Sequence, residues 1–234
     1  MEASRLPPAV LAAASDRVGG ALEVAATALD GLLEVASDPE LLEEAVTVLA
    51  AGQPAMAPIW HLAVAAGGPD PPSALAALRR HLSADADAAV EAATAWLLDH
   101  LAARPVGGRP GAVATVSHSS LVDRVLGRVD QVRGRDQGAG RFTGPVVGVV
   151  GADAIGPEGL LNADGTRELA GRVPTLVVAT AVKLVPAAVF GRLGGAGFEV
   201  VPLEALAAVV VGDEVLSPAE AGRRARELTP RPGD

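Results

Sequence analysis

The sequence predicts an α/β chain, an N-terminal helical bundle followed by a mostly parallel sheet with flanking helices, and two patterns carry that prediction. Apolar side chains recur at helical spacing through the first hundred residues, and beyond residue 108 short β-branched runs alternate with helix-like stretches. "RPVGGRPG" (104–111) separates the two regimes, because three glycines and two prolines sustain neither helix nor strand. Two domains are expected, a helical one over 1–107 and an α/β one over 108–234.

Each element has its own signal. Val18, Leu22, Ala25, Leu29 and Leu32 step by four, three, four and three, which places one apolar stripe on a first helix. "SDPELLEEAVTVLAAG" begins a second, with Ser37 or Asp38 as N-cap, Pro39 in the first turn and Gly52 beyond its end. "AMAPIWHLAVAAG" gives a third. After the break "GGPDPPS", "ALAALRRHL" and "DADAAVEAATAWLLDHLAA" complete a small antiparallel bundle. In the second half, "AVATVS", "PVVGVVGA", "TLVVATAV", "FEVVPL" and "AAVVVG" read as strands. Their nearly continuous apolar character suits a sheet buried on both faces, with helices crossing between parallel strands. The expected architecture is an open, Rossmann-like sheet with its ligand at the carboxyl ends of the strands.

Composition removes several classes of chemistry. The 234 residues contain no Cys, so disulfides, thiolate metal sites and a Cys nucleophile are excluded, and four His make a zinc cluster an unpromising reading. No metal or cofactor is expected. The core must be built from Ala, Val and Leu, since aromatics are 2% of the chain and Tyr is absent. The net charge of −9 lies in residues 1–107, with 14 acids against 5 bases, while 108–234 carry 14 of each. Nucleic-acid binding therefore has little electrostatic support. The start "MEASRLPP" is unlike a signal peptide and no apolar run reaches the length of a membrane span, so a cytoplasmic protein without membrane contact is expected.

Three loops that follow predicted strands hold the candidate site. In "SHSS", Ser117, His118, Ser119 and Ser120 precede a helix, whose N-terminal amides suit a phosphate or carboxylate; a plain helix cap is the competing reading. In "GADAIGPEGLLNADGT", Asp153 stands just past a strand end, where a carboxylate can act as a general base or grip a sugar hydroxyl. Asn162 follows in that loop, and Gly165–Thr166 open another helix; an Asx-turn and a cap are the alternative. In "ATAVKL", Lys183 is the only Lys beside 18 Arg, placed to meet a phosphate or to lie solvated on the surface. "GRVDQVRGRDQGAGRFTG" (127–144) reads as a connector rather than an anion-binding loop.

Together these stretches resemble the initiation-factor-2B-like family, which comprises methylthioribose-1-phosphate isomerase, ribose-1,5-bisphosphate isomerase and subunits of the eukaryotic nucleotide-exchange factor. "GADAI…NADGTRELA" is similar to the family's Gly-Ala-Asp loop, "TVSHSSLVDRVL" to its Ser-rich strand–helix turn, "VPTLVVATAVKL" to a later strand, and "QPAMAPIWHL" to a helix start. The resemblance implies a helical domain before a Rossmann-like one, a homodimer through the sheet domain, and a phosphorylated small molecule at the site. It assigns the isomerase's catalytic Asp to Asp153, and its catalytic Cys has no counterpart here. Gln53 stands where the family has Arg, His61 where it has Asn, and Ala163 where it has a phosphate-binding Lys. The expectation is a catalytically reduced homologue that binds a sugar phosphate or nucleotide, a protein partner, or both. The alternatives are an active aldose–ketose isomerase using Asp153 with His118 or Ser119, and an assembly subunit without a ligand.

Overall fold

A computed structural model describes residues 5–103, 112–116, 119–133 and 145–228. The helical region comprises α1 (Pro8–Ser15), α2 (Ala21–Val35), α3 (Pro39–Gly52), α4 (Ala57–Ala66) and α5 (Pro71–Ala103). The chain then runs β1 (Ala112–Ala114), α6 (Ser120–Arg133), β2 (Pro145–Val150), β3 (Ala154–Ile155), β4 (Gly159–Ala163), α7 (Thr166–Arg172), β5 (Thr175–Ala179), α8 (Ala187–Phe190), β6 (Phe198–Pro202), β7 (Ala208–Val211), β8 (Glu214–Leu216) and α9 (Pro218–Glu227).

The helix signals act locally as their chemistry dictates. Asp38 caps α3 by accepting from the Leu41 amide, and Pro39 occupies its first turn. α2 starts later than its apolar stripe suggests. Asp16 Oδ1 accepts the amides of Val18 and Gly19 at 2.8 Å, so the chain turns there and Val18 is left 91% exposed. The stripe that reaches the core is Val24, Ala25, Ala28, Leu29 and Leu32. "ALAALRRHL" and "DADAAVEAATAWLLDHLAA" form one helix, α5, because the "SA" between them contains neither Gly nor Pro.

β1, β2, β5 and β7 pair in parallel, in the order β1-β2-β5-β7-β8, and β8 closes the sheet antiparallel. Side chains alternate between two buried faces. Val147, Val149, Leu176, Val178, Ala208 and Val210 pack with Ala89, Ala93, Leu97 and Leu101 of α5 and with α6. Val150, Val177, Ala179, Val209 and Val211 pack on the opposite side with Leu169 of α7 and Ala221 and Ala225 of α9. This two-sided burial is why the strands read as continuous apolar runs. The start of α5 belongs to a separate cluster with α1 to α4, through Leu75. One helix thus belongs to both cores.

Two readings change at the second sheet. "FEVVPL" does not join the parallel strands; as β6 it pairs antiparallel with β4, in the order β3-β4-β6. The stretch after β2 is likewise not all loop, since Ala154–Ile155 and Gly159–Ala163 form a hairpin. Its short strands hide among turn residues, and the outer partner of β4 is β6, nearly forty positions downstream. Among the described residues, no helix is long and apolar enough to cross a membrane.

Candidate functional site

A cavity of about 560 Å³ lies at the carboxyl ends of β1, β2 and β5. The turn between α1 and α2 and the turn between α3 and α4 face those ends across it. Its position is where an open parallel sheet leaves loops and amides free to meet a ligand.

Asp153 enters from the β2–β3 connection. Its amide donates to Leu161 O and its carbonyl accepts from the Ala57 amide, both at 3.0 Å, so β4 and the start of α4 hold it from two sides. Burial pushes its carboxyl above the ordinary carboxylate range, and the Lys183 ammonium opposes that rise. Lys183 ends the 3₁₀ turn Ala181–Lys183 that follows β5, its amide donating to Thr180 O at 3.0 Å. Only 3% of the residue is exposed. Burial pushes its ammonium down from 10.5 to about 8, and Asp153 opposes the fall. Among the described residues no carboxylate comes within 4 Å of this ammonium and no side-chain hydrogen bond reaches it. A buried cation without a close partner is costly, and a ligand anion in the cavity would offset that cost.

The remaining expected residues divide. Ser119 and Ser120 line the cavity at the N-terminus of α6, while Ser117 and His118 lie outside the described residues, as does 134–144 of the expected connector. Asn162 lines it from β4, buried, with its amide donating to Thr166 Oγ1 at 3.0 Å. Thr166 in turn donates to Ala163 O at 2.8 Å. Gly165, at φ 95°, and Thr166 do not line the cavity; they shape the turn into α7 and orient Asn162. Gln53 lines it, but its Nε2 donates to Ala13 O and Asp16 O, each at 2.7 Å. Gln53 therefore ties the α1–α2 turn in place. His61, at the position compared with Asn, has its Nε2 2.9 Å from Leu184 O.

Sequence reasoning missed two walls. Asp16, Arg17 and Gly19–Leu22 bring the N-terminus of α2 to the cavity; Asp16 Oδ1 takes the Gly19 amide and Glu23 Oε2 the Gly20 amide, which leaves those of Ala21 and Leu22 without intrahelical acceptors. The signal was "DRVGG", a turn followed by a helix start. Gly194, Gly195 and Ala196 form the other wall, with Gly194 at φ 138° and its amide 3.4 Å from Pro54 O. Nothing in that Gly-rich stretch announces which site it covers. Two helix N-termini, α2 and α6, and one buried ammonium thus share a cavity that also holds the carboxyl groups of Asp16 and Asp153. This arrangement can take up an anion and present a proton-transferring carboxyl to the molecule that carries it.

No protein-family model and no curated protein matches the sequence. Solved structures do share the fold. A translation initiation factor eIF-2B from Pyrococcus horikoshii OT3 is similar with TM-score 0.68 at 16% identity, covering 91% of this chain and 98% of that one. The tetrameric eIF2B-beta2-delta2 complex from C. thermophilum gives 0.64 at 13% identity, covering 93% and 91%. The 5-methylthioribose 1-phosphate isomerase from Pyrococcus horikoshii OT3 gives 0.55 at 16%, covering 92% and 85%. The helical region and the parallel sheet therefore form the fold of eIF2B subunits and of that isomerase.

Proposed function

We propose that this chain binds a small phosphorylated molecule, a sugar phosphate or a nucleotide, in the cavity at the strand ends. The observation that carries the reading is Lys183, a buried cation without a close counter-ion, in a cavity onto which the N-termini of α2 and α6 open. Amides of Ala21, Leu22 and Ser119–Leu121 would receive the phosphate, and Asn162 and Asp153 would meet hydroxyl groups of the body it carries. The similarity to a methylthioribose 1-phosphate isomerase supports a sugar phosphate as the ligand class. The chain lacks Cys, so a thiol cannot share proton transfer with Asp153, and the reading is of binding with reduced catalysis rather than the isomerisation expected of a full catalytic set.

The test is thermal shift with ribose 5-phosphate, methylthioribose 1-phosphate and AMP, on the wild type, Lys183→Met and Asp153→Asn. A shift in the wild type that shrinks in both variants supports the reading. No shift with any of the three in the wild type overturns it.

Assembly is a second reading, favoured by the similarity to subunits of a tetrameric complex. It takes the sheet domain as the contact of a homodimer. Light scattering that returns a monomer at every concentration would overturn it.

A further inference from the structure

Lys183 is chemically singular in this chain. Eighteen of its nineteen basic side chains are Arg, and the exception stands in the wall of the cavity. An Arg would serve better if the role were only to hold a phosphate, because its fork pairs with two oxygens and stays charged. What Lys offers instead is an ammonium that can lose its proton and become a nucleophile. The surroundings favour that loss. The neighbouring residues Val182, Leu184 and Val185 are buried, and among the described residues Asp153 is the one charged group that acts on the ammonium.

We propose that Lys183 is a carbonyl-capturing amine: its Nζ, set near Asp153 in the cavity wall, condenses with the open-chain aldehyde or ketone of a phosphorylated sugar to form an imine. The inference rests on the proposed binding of a phosphorylated molecule, whose phosphate is held by the N-termini of α2 and α6 while the carbonyl end reaches Lys183.

The step balances without oxidant, reductant or cofactor. The Lys183 ammonium loses one proton, relayed through solvent in the cavity to the Asp153 carboxylate, leaving a neutral amine and a carboxylic acid. Nζ then bonds to the carbonyl carbon as the C=O π pair moves to oxygen, and proton transfer from nitrogen to oxygen gives a neutral carbinolamine. The nitrogen lone pair forms C=N as the C–O bond breaks, and the hydroxyl leaves as water with the proton from Asp153. The N–H of the resulting iminium returns a proton to Asp153 if the neutral imine forms. Both perturbed groups are suited to their parts. Burial raises the Asp153 carboxyl, so it accepts a proton more readily than an ordinary carboxylate. Lowering Lys183 from 10.5 to about 8 multiplies its free-amine fraction at neutral pH by about 300.

The chain's single Lys makes the test direct. The full chain is incubated with ribose 5-phosphate or glyceraldehyde 3-phosphate and sodium cyanoborohydride, which reduces an imine to a stable secondary amine. Only two primary amines exist, Lys183 and the N-terminal amine, and trypsin reports the first because a modified Lys183 is not cleaved. The expected result is one adduct on a peptide spanning 173–192, formed faster at pH 8 than at pH 6. Labelling is suppressed by excess inorganic phosphate, is much weaker with unphosphorylated ribose, and slows in Asp153→Asn. Labelling of the N-terminal amine alone, or of Lys183 no faster than the N-terminus, overturns the inference. If ribose 5-phosphate raises the melting temperature and no Lys183 adduct forms, binding stands and the amine chemistry fails. If neither is seen, both fail. The mapping uses wild-type protein, so it does not depend on whether a Lys183 variant folds.

Discussion

Asp85, in the middle of α5, accepts the backbone amide of Ala181 at 2.5 Å, two residues before Lys183. The long helix thereby holds the turn that carries the cavity's cation. The same carboxylate crowds Gly212, at φ 59° between β7 and β8, where an added Cβ would collide with Asp85 Oδ1. One half-buried side chain thus bonds the turn after β5 and packs closely against the turn after β7.

Removing that hydrogen bond loosens the turn that carries Lys183. Asp85→Ala is expected to cost about 1–2 kcal/mol in urea denaturation, the range for a hydrogen bond to a charged group discounted for partial exposure. Asp85→Asn keeps an acceptor oxygen and loses less. Gly212→Ala is strained by its positive φ and also meets the carboxylate. Its cost should therefore be smaller in the Asp85→Ala background than alone, a coupling that a double-mutant cycle measures.

Lys183 gives stability a particular pH dependence. The ammonium titrates near 10.5 when unfolded and at about 8 when folded, so between those values the unfolded chain binds more protons. Stability then rises with pH through that window, by on the order of 3 kcal/mol if the window is fully crossed. The chain has no Tyr and no Cys, which leaves few other groups titrating there. Lys183→Met should be more stable than the wild type at pH 7, with the difference shrinking towards pH 10.5. A wild-type profile flat from pH 8 to 10 contradicts this.

Gln53→Leu should act on the site through the α1–α2 turn. It leaves Ala13 O and Asp16 O without the donor that joins them, at about 1–3 kcal/mol. A larger effect on ribose 5-phosphate affinity than that of Thr47→Ala, on an exposed face of α3, distinguishes loss of the turn from general destabilisation.

Core and surface contacts between α5 and its neighbours should differ sharply. Leu97→Ala opens a void where α5 meets the sheet, with an expected loss of about 2–5 kcal/mol. Arg124→Ala removes an exposed pair with Asp87 between α5 and α6 and should cost less than about 1 kcal/mol. Chemical denaturation of the two variants compares them directly.

The helical start, the α/β class and the parallel strands were legible in the chain, because hydrophobic period and helix caps are local properties. The sequence also singled out Asp153, Ser119, Ser120, Asn162 and Lys183, all of which the fold brings to one cavity. The pairing of β6 with β4 rather than with the parallel sheet emerged only on folding, since that choice depends on edges formed by distant segments. Folding also decided that Gln53 serves the α1–α2 turn, that Gly165 and Thr166 stand outside the cavity, and that the start of α2 forms its far wall. Burial created the chemistry of Lys183: as a letter in the sequence it is an ordinary ammonium, and desolvation without a close counter-ion is what changes its proton affinity.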